Sequence, residues 1–113
     1  MNNSNENSHI NSSLLSNLLS GLDDEKMMLC KDILNENSIQ NFLKDKELKN
    51  TMQQFLENNL NVCKTSKKNF MHRNTLLYRI EKVKKTLGID VRELDDAITL
   101  KIILEIAKIE DKI

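Results

Sequence analysis

The stretch His72-Arg73-Asn74-Thr75-Leu76-Leu77-Tyr78-Arg79-Ile80-Glu81-Lys82-Val83 decides how this chain is read. Leu76, Leu77, Ile80, Val83 and Leu87 recur at helical spacing, so the run predicts an amphipathic helix from about Arg73 to Leu87, with Gly88 as its stop. The other face carries Arg73, Tyr78, Arg79, Lys82 and Lys85. Just upstream, Asn61 is a good N-cap for a short helix over Val62–Asn69. Before that, Asp45 can cap a helix over Lys46–Asn59, whose stripe is Leu48, Met52, Phe55 and Leu56. Phe70, Met71 and His72 make a tight connection between the second and third of these helices. This is the helix-turn-helix layout, in which the last helix of the pair enters the major groove of DNA.

The physical requirements of that layout are met in order. Ser66 is small where two helices must approach closely, and Met71 is apolar and can plug the corner. Only the first turn of such a helix reaches base edges, so donors and acceptors must cluster there, as they do at His72-Arg73-Asn74-Thr75. Arg73 can make a bidentate contact to guanine, and Asn74 a similar one to adenine if it faces the groove. Thr75 suits a phosphate or a thymine methyl. Arg79, Lys82 and Lys85, at i+3 spacing, can follow the sugar-phosphate backbone, and the amides after Asn61 can catch a phosphate. His72 fits a DNA contact or a helix cap equally well. Tyr78 suits the DNA backbone better than the core, since Leu77 already points inward.

Charge is unevenly spread around this region. Residues 61–88 hold eight Lys/Arg and only Glu81 as an acid, a net +7, between flanks of −4 (residues 1–60) and −3 (residues 89–113). The 113-residue chain is neutral as a whole. A cationic block alone is usually a solvated helix face; here its internal order points to a polyanion.

Further out, nine of the first thirteen residues are Asn or Ser, which reads as a flexible tail over about 1–11 with an inert His9. Leu14, Leu15, Leu18, Leu19 and Leu22 predict a short helix stopped at Gly21. Asp23 or Asp24 can cap a second helix running through Met27, Cys30, Ile33 and Leu34, with the Met27-Met28 pair as core filler. Ile39, Phe42 and Leu43 read as a single apolar turn. Asp95 or Asp96 caps a last helix with Ile98, Ile102, Ile106 and Ile109 on one stripe, widened by Leu100, Ile103, Leu104 and Ala107. So wide a face is either sandwiched within the domain or covered by a partner chain. The expected organisation is a tail (1–11), an N-terminal helical extension (12–44), and a helix-turn-helix domain with a C-terminal helix (45–113).

Composition excludes several classes. The absence of Pro, with only Gly21 and Gly88, leaves too little turn punctuation for a β-sandwich or barrel. No apolar run is long enough to span a bilayer. No charged-then-apolar leader opens the sequence, which argues against secretion. Cys30 and Cys63 stand apart without ligand-spaced partners, so incidental thiols in a reducing cytoplasm outweigh a disulfide, a metal or a catalytic role. No phosphate loop, nucleophile elbow or carboxylate pocket is evident, so no catalytic residue, cofactor, metal or small-molecule site is expected.

The segments Phe55–Val62 (FLENNLNV) and His72–Val83 (HRNTLLYRIEKV) resemble the C-terminal helix-turn-helix domain of PucR-type regulators, bacterial regulators of purine catabolism and sugar diacids. The resemblance runs from about Leu22 to Ile106 and is densest over Phe55–Gly88. The opening of the last helix also resembles the Fis-type motif. The resemblance implies an all-α fold with a Fis-like three-helix core plus N- and C-terminal helices. It implies that His72, Arg73, Asn74, Thr75, Tyr78 and Arg79 face DNA, and that Asn61 and Cys63 support phosphate binding. Two positions depart from the family: Lys68 stands where a small residue is usual, and Asn69 where Leu would be core, so Phe70 or Met71 is expected to fill the gap.

The expected function is a sequence-specific double-stranded DNA-binding module, with helix 73–87 in the major groove. Arg73, Asn74 and His72 would read bases; Thr75, Tyr78, Arg79, Lys82 and the Asn61 end of the preceding helix would hold phosphates. One helix reads few base pairs, so a two-fold homodimer on half-sites about 34 Å apart is expected, paired through the last helix or the Leu14–Leu22 helix. The alternative is a helical protein-interaction or oligomerisation module that has lost DNA binding.

Overall fold

The computed structural model describes residues 14–111; the Asn/Ser-rich segment and His9 lie outside them. The described residues are helical, with no strand among them. Helix α1 covers 14–20, and α2 (Asp24–Leu34), α3 (Asn37–Lys44), α4 (Lys46–Glu57), α5 (Val62–Lys68), α6 (Arg73–Leu87) and α7 (Leu94–Asp111) follow.

Local chemistry explains most of the boundaries. Asp23 caps α2 by accepting from the Lys26 amide, Asp45 caps α4 through the Leu48 amide, and Asn61 caps α5 through the Lys64 amide. Gly88 ends α6 in the left-handed conformation, φ 74°, which costs a residue without Cβ nothing. Two expectations need correction. Residues 37–44 are a full two-turn helix rather than one apolar turn, because Glu36 caps it through the Ser38 amide and Phe42 anchors it in the core. And neither Asp95 nor Asp96 caps α7: both lie in its first turn, and the Asp96 carboxylate accepts instead from the Asp90 amide at 2.8 Å, tying the helix to the preceding turn.

The core has two parts. The main cluster joins Phe42, Leu48, Met52, Phe55, Leu76, Ile80, Val83, Val91, Leu100 and Leu104. Each such side chain contributes about 1.5–3 kcal/mol by leaving water. Helices α4, α5 and α6 pack on one another, and α3 lies across α4 and α6. Thus α3, on the N-terminal side of position 45, belongs to the same packed unit as the helix-turn-helix. The second cluster joins Cys30 and Leu34 of α2 to Ile103 and Ile106 of α7, with Leu19 and Leu22 against it; half-buried Leu43 touches both clusters.

The wide face of α7 is therefore sandwiched within the chain, between α2 and α4. Its buried line is Ala97, Leu100, Ile103, Leu104 and Ile106, while Ile98 is largely exposed. On α2 the Met pair divides: Met27 is half-buried, whereas Met28 is 65% exposed and no core filler, and Leu29 and Ile33 are exposed as well. No helix among the described residues is long and apolar enough to cross a membrane.

Candidate nucleic-acid interface

Helix α5 is short and built to lie close to α6. Its buried Thr65 hydroxyl donates to the Asn61 carbonyl at 2.7 Å, and Ser66 Oγ to the Cys63 carbonyl at 3.0 Å, so small polar side chains satisfy themselves on their own helix. Asn69 closes the helix, its side-chain amide donating to the Thr65 carbonyl at 2.8 Å. The position where the family has a core Leu is here a polar cap. Met71 fills the gap, packing against the main cluster; Phe70 does not, being 99% exposed. The Met71 amide donates back to the Ser66 carbonyl at 2.9 Å and fixes the corner.

His72 is the N-cap of α6. Its Nδ1 accepts from the Asn74 amide at 3.0 Å, so the capping role is realised while the ring stays on the surface. Behind it Leu76, Ile80 and Val83 are fully buried and lock the helix in place. Arg73, Asn74 and Thr75 are all exposed, and their side chains have no hydrogen-bond or ion-pair partner among the described residues. Tyr78 follows on the same outer surface, 66% exposed.

The middle of α6 is different. Arg79 Nη1 donates to Thr51 Oγ1 at 2.8 Å, and Nη2 lies 3.2 Å from Glu47 Oε1. Its side chain is only 20% exposed. Lys82 Nζ lies 3.2 Å from Asp45 Oδ2. The Asp45 carboxyl is held below its ordinary pKa, first by the Leu48 amide of its own cap and then by Lys82. Asp45, Glu47, Arg79 and Lys82 border a shallow cleft of about 220 Å³ between α4 and α6, which Leu48, Thr75 and Tyr78 also line.

Of the sequence-predicted residues, Thr75, Tyr78, Arg79 and Lys82 share this cleft, His72, Arg73 and Asn74 are exposed at the start of α6, and Asn61 and Cys63 are exposed at the start of α5. Sequence reasoning missed two sets. Lys64, Lys67 and Lys68 are exposed along α5, and their signal was the cationic block itself. Asp45, Glu47 and Thr51 engage α6 from α4, across separations of 28 residues and more that no local pattern reveals. Of the eight cations over 61–88, only Arg79 and Lys82 are ion-paired among the described residues. No group of three or more His, Cys, Asp or Glu is placed to hold a metal among the described residues.

Comparison with known proteins agrees with this layout. The chain is 40% identical over 77 residues to an uncharacterized protein, YxkF, of Bacillus subtilis, covering 68% of this chain and 26% of that protein. It is 29% identical over 65 residues to the purine catabolism regulatory protein of the same organism, covering 58% of this chain and 12% of that one. It is 34% identical over 59 residues to the carbohydrate diacid regulator of Escherichia coli, covering 52% of this chain and 15% of the regulator. The chain thus spans about a quarter or less of the length of these relatives. No solved structure matches it. Residues 48–106, just over half of the chain, match the model of the PucR C-terminal helix-turn-helix domain. That segment begins in α4 and ends in α7, enclosing the trihelical unit and the whole of the exposed cationic corner, and the chain belongs to the PucR C-terminal helix-turn-helix domain family.

Proposed function

We propose that this domain binds double-stranded DNA sequence-specifically as part of a bacterial transcription regulator, with α6 in the major groove. The observation that carries the reading is the first turn of α6, where Arg73, Asn74 and Thr75 project unpartnered among the described residues, within a stretch of sequence that has no acid between Glu57 and Glu81. Arg73 and Asn74 read base edges, with His72 beside them as both cap and neighbour of the groove. Thr75, Tyr78 and Lys82 hold phosphates, with Asn61 and Cys63 flanking the same path. Arg79 joins them while still paired, since a guanidinium has five N–H donors and α4 engages two of its nitrogens. Two copies are needed for useful specificity, and the exposed Leu14 and Leu18 of α1 offer an apolar surface for pairing. The relatives named as regulators are bacterial, and a regulator of this kind acts in the cytoplasm.

The test is a fluorescence anisotropy titration against mixed-sequence duplex DNA at low and moderate salt. A DNA binder shows affinity that falls steeply with salt. Lys82→Ala should weaken mixed and selected sequences alike and lower the salt slope by about one. The second reading, a protein-interaction module, is favoured by the exposed Met28, Leu29 and Ile33 on α2. It requires self-association or partner binding with no affinity for a polyanion, and that result would replace the first reading.

A further inference from the structure

Two turns of this molecule hold a bulky apolar residue in the left-handed region: Leu60 between α4 and α5, φ 61°, and Phe70 between α5 and α6, φ 50°. For a side chain with a Cβ this backbone is strained, and a glycine would adopt it freely. At Leu60 the strain is offset. The side chain packs against the main core, and its amide donates to the Phe55 carbonyl at 2.9 Å. At Phe70 nothing among the described residues offsets it. The ring is 99% exposed, and its amide makes only a long contact of 3.4 Å to the Lys67 carbonyl. The corner itself is held by Met71, so glycine would serve the turn better. An aromatic ring that costs the fold stability and buries nothing finds its compensation outside the chain.

The surroundings say what lies there. The nearest charges along the chain are Lys67, Lys68 and Arg73, all cationic and exposed. Phe70 stands two residues before the cap of α6, within about 7 Å of it along the backbone. A ligand as wide as a duplex, seated on Arg73 and Asn74, would come within reach of this ring. A duplex offers both halves of the match: phosphates for the cations, and apolar edges for the ring. We infer that Phe70 is a DNA-contacting residue, its ring set against an apolar edge of the duplex, a thymine methyl or a deoxyribose face, beside the contacts of the first turn of α6.

This inference rests on the DNA-binding reading above, and the experiment separates the two. Wild type, Phe70→Gly and Phe70→Asn are titrated against one duplex selected from random DNA, and each is unfolded thermally. Gly and Asn both tolerate the left-handed conformation, so both variants should be as stable as wild type or more so. Both should bind about fivefold or more weakly, by loss of the ring's apolar contact. On the same duplex with dU replacing dT, a lost difference between wild type and variant assigns the contact to the methyl; a kept difference assigns it to the sugar. Unchanged affinity in both variants overturns the inference while DNA binding stands. Weaker binding together with lower stability overturns it in favour of a role in the turn. Loss of self-association in the variants, measured by sedimentation, overturns it in favour of a protein interface. Failure of wild type to bind any duplex removes the underlying reading instead.

Discussion

Helix α6 carries cations at its tip and in its middle, and the two regions are held in opposite ways. At the tip Arg73 is exposed and unpartnered among the described residues. Two turns later Arg79 is mostly buried and bridges Glu47 and Thr51, and Lys82 leans on Asp45. Side chains already satisfied within the chain hold the helix at a fixed angle to α4. Side chains left open are available to a ligand. The same residue type on one helix is thus tied to α4 in the middle and left free at the tip, according to what α4 offers opposite it.

The largest expected effect lies at the tip. Arg73→Ala should cost about 1–3 kcal/mol on a duplex selected from random DNA, roughly five- to 150-fold in affinity, and relax base preference. Its unfolding midpoint should match wild type, because the exposed side chain has no hydrogen-bond or ion-pair partner among the described residues. Equal losses on selected and mixed duplexes would take Arg73 out of base reading and erase the distinction.

The middle should answer in stability instead. Arg79→Ala removes a hydrogen bond to buried Thr51 and a pair with Glu47, itself largely exposed, so about 1–2 kcal/mol is expected. Urea unfolding would read this as a lower midpoint at unchanged slope. Arg79→Lys should not restore it, since one ammonium cannot span both partners. A midpoint unmoved by either change would put Arg79 among the free cations.

Asp45 sharpens the comparison with a smaller effect. Asp45→Ala loses the α4 cap, about 1 kcal/mol. The folded carboxyl titrates below its unfolded value, so its stabilisation is complete above about pH 4 and disappears as the pH falls through the lowered folded value. Asp45→Asn keeps a capping side chain but not the charge, and should flatten the acid limb of the stability profile. Identical acid limbs for wild type and Asp45→Asn would mean that other carboxylates carry it.

Much of this was legible in the residues. The Leu76–Ile80–Val83 spacing, the Asp45 and Asn61 caps and the Gly88 stop each depend on neighbours three or four positions away, and each stands where local chemistry puts it. The α3 helix was underestimated because its anchor, Phe42, is stabilised by a core assembled from distant segments. Met28 reads as core filler and the gap beside Asn69 reads as open to Phe70 or Met71, yet burial is a property of the packed surface, which leaves Met28 and Phe70 exposed and takes in Met71.

From its residues alone, then, this chain specified its helices, most of their ends and the clustering of positive charge on two of them, since all of these arise from interactions within a turn or from simple counting. Tertiary structure decided which cations are spent on α4 and which remain open, that α7 is covered by its own chain, and that Met71 rather than Phe70 enters the core. Those outcomes join residues tens of positions apart, and only the packing of helix against helix brings them within reach.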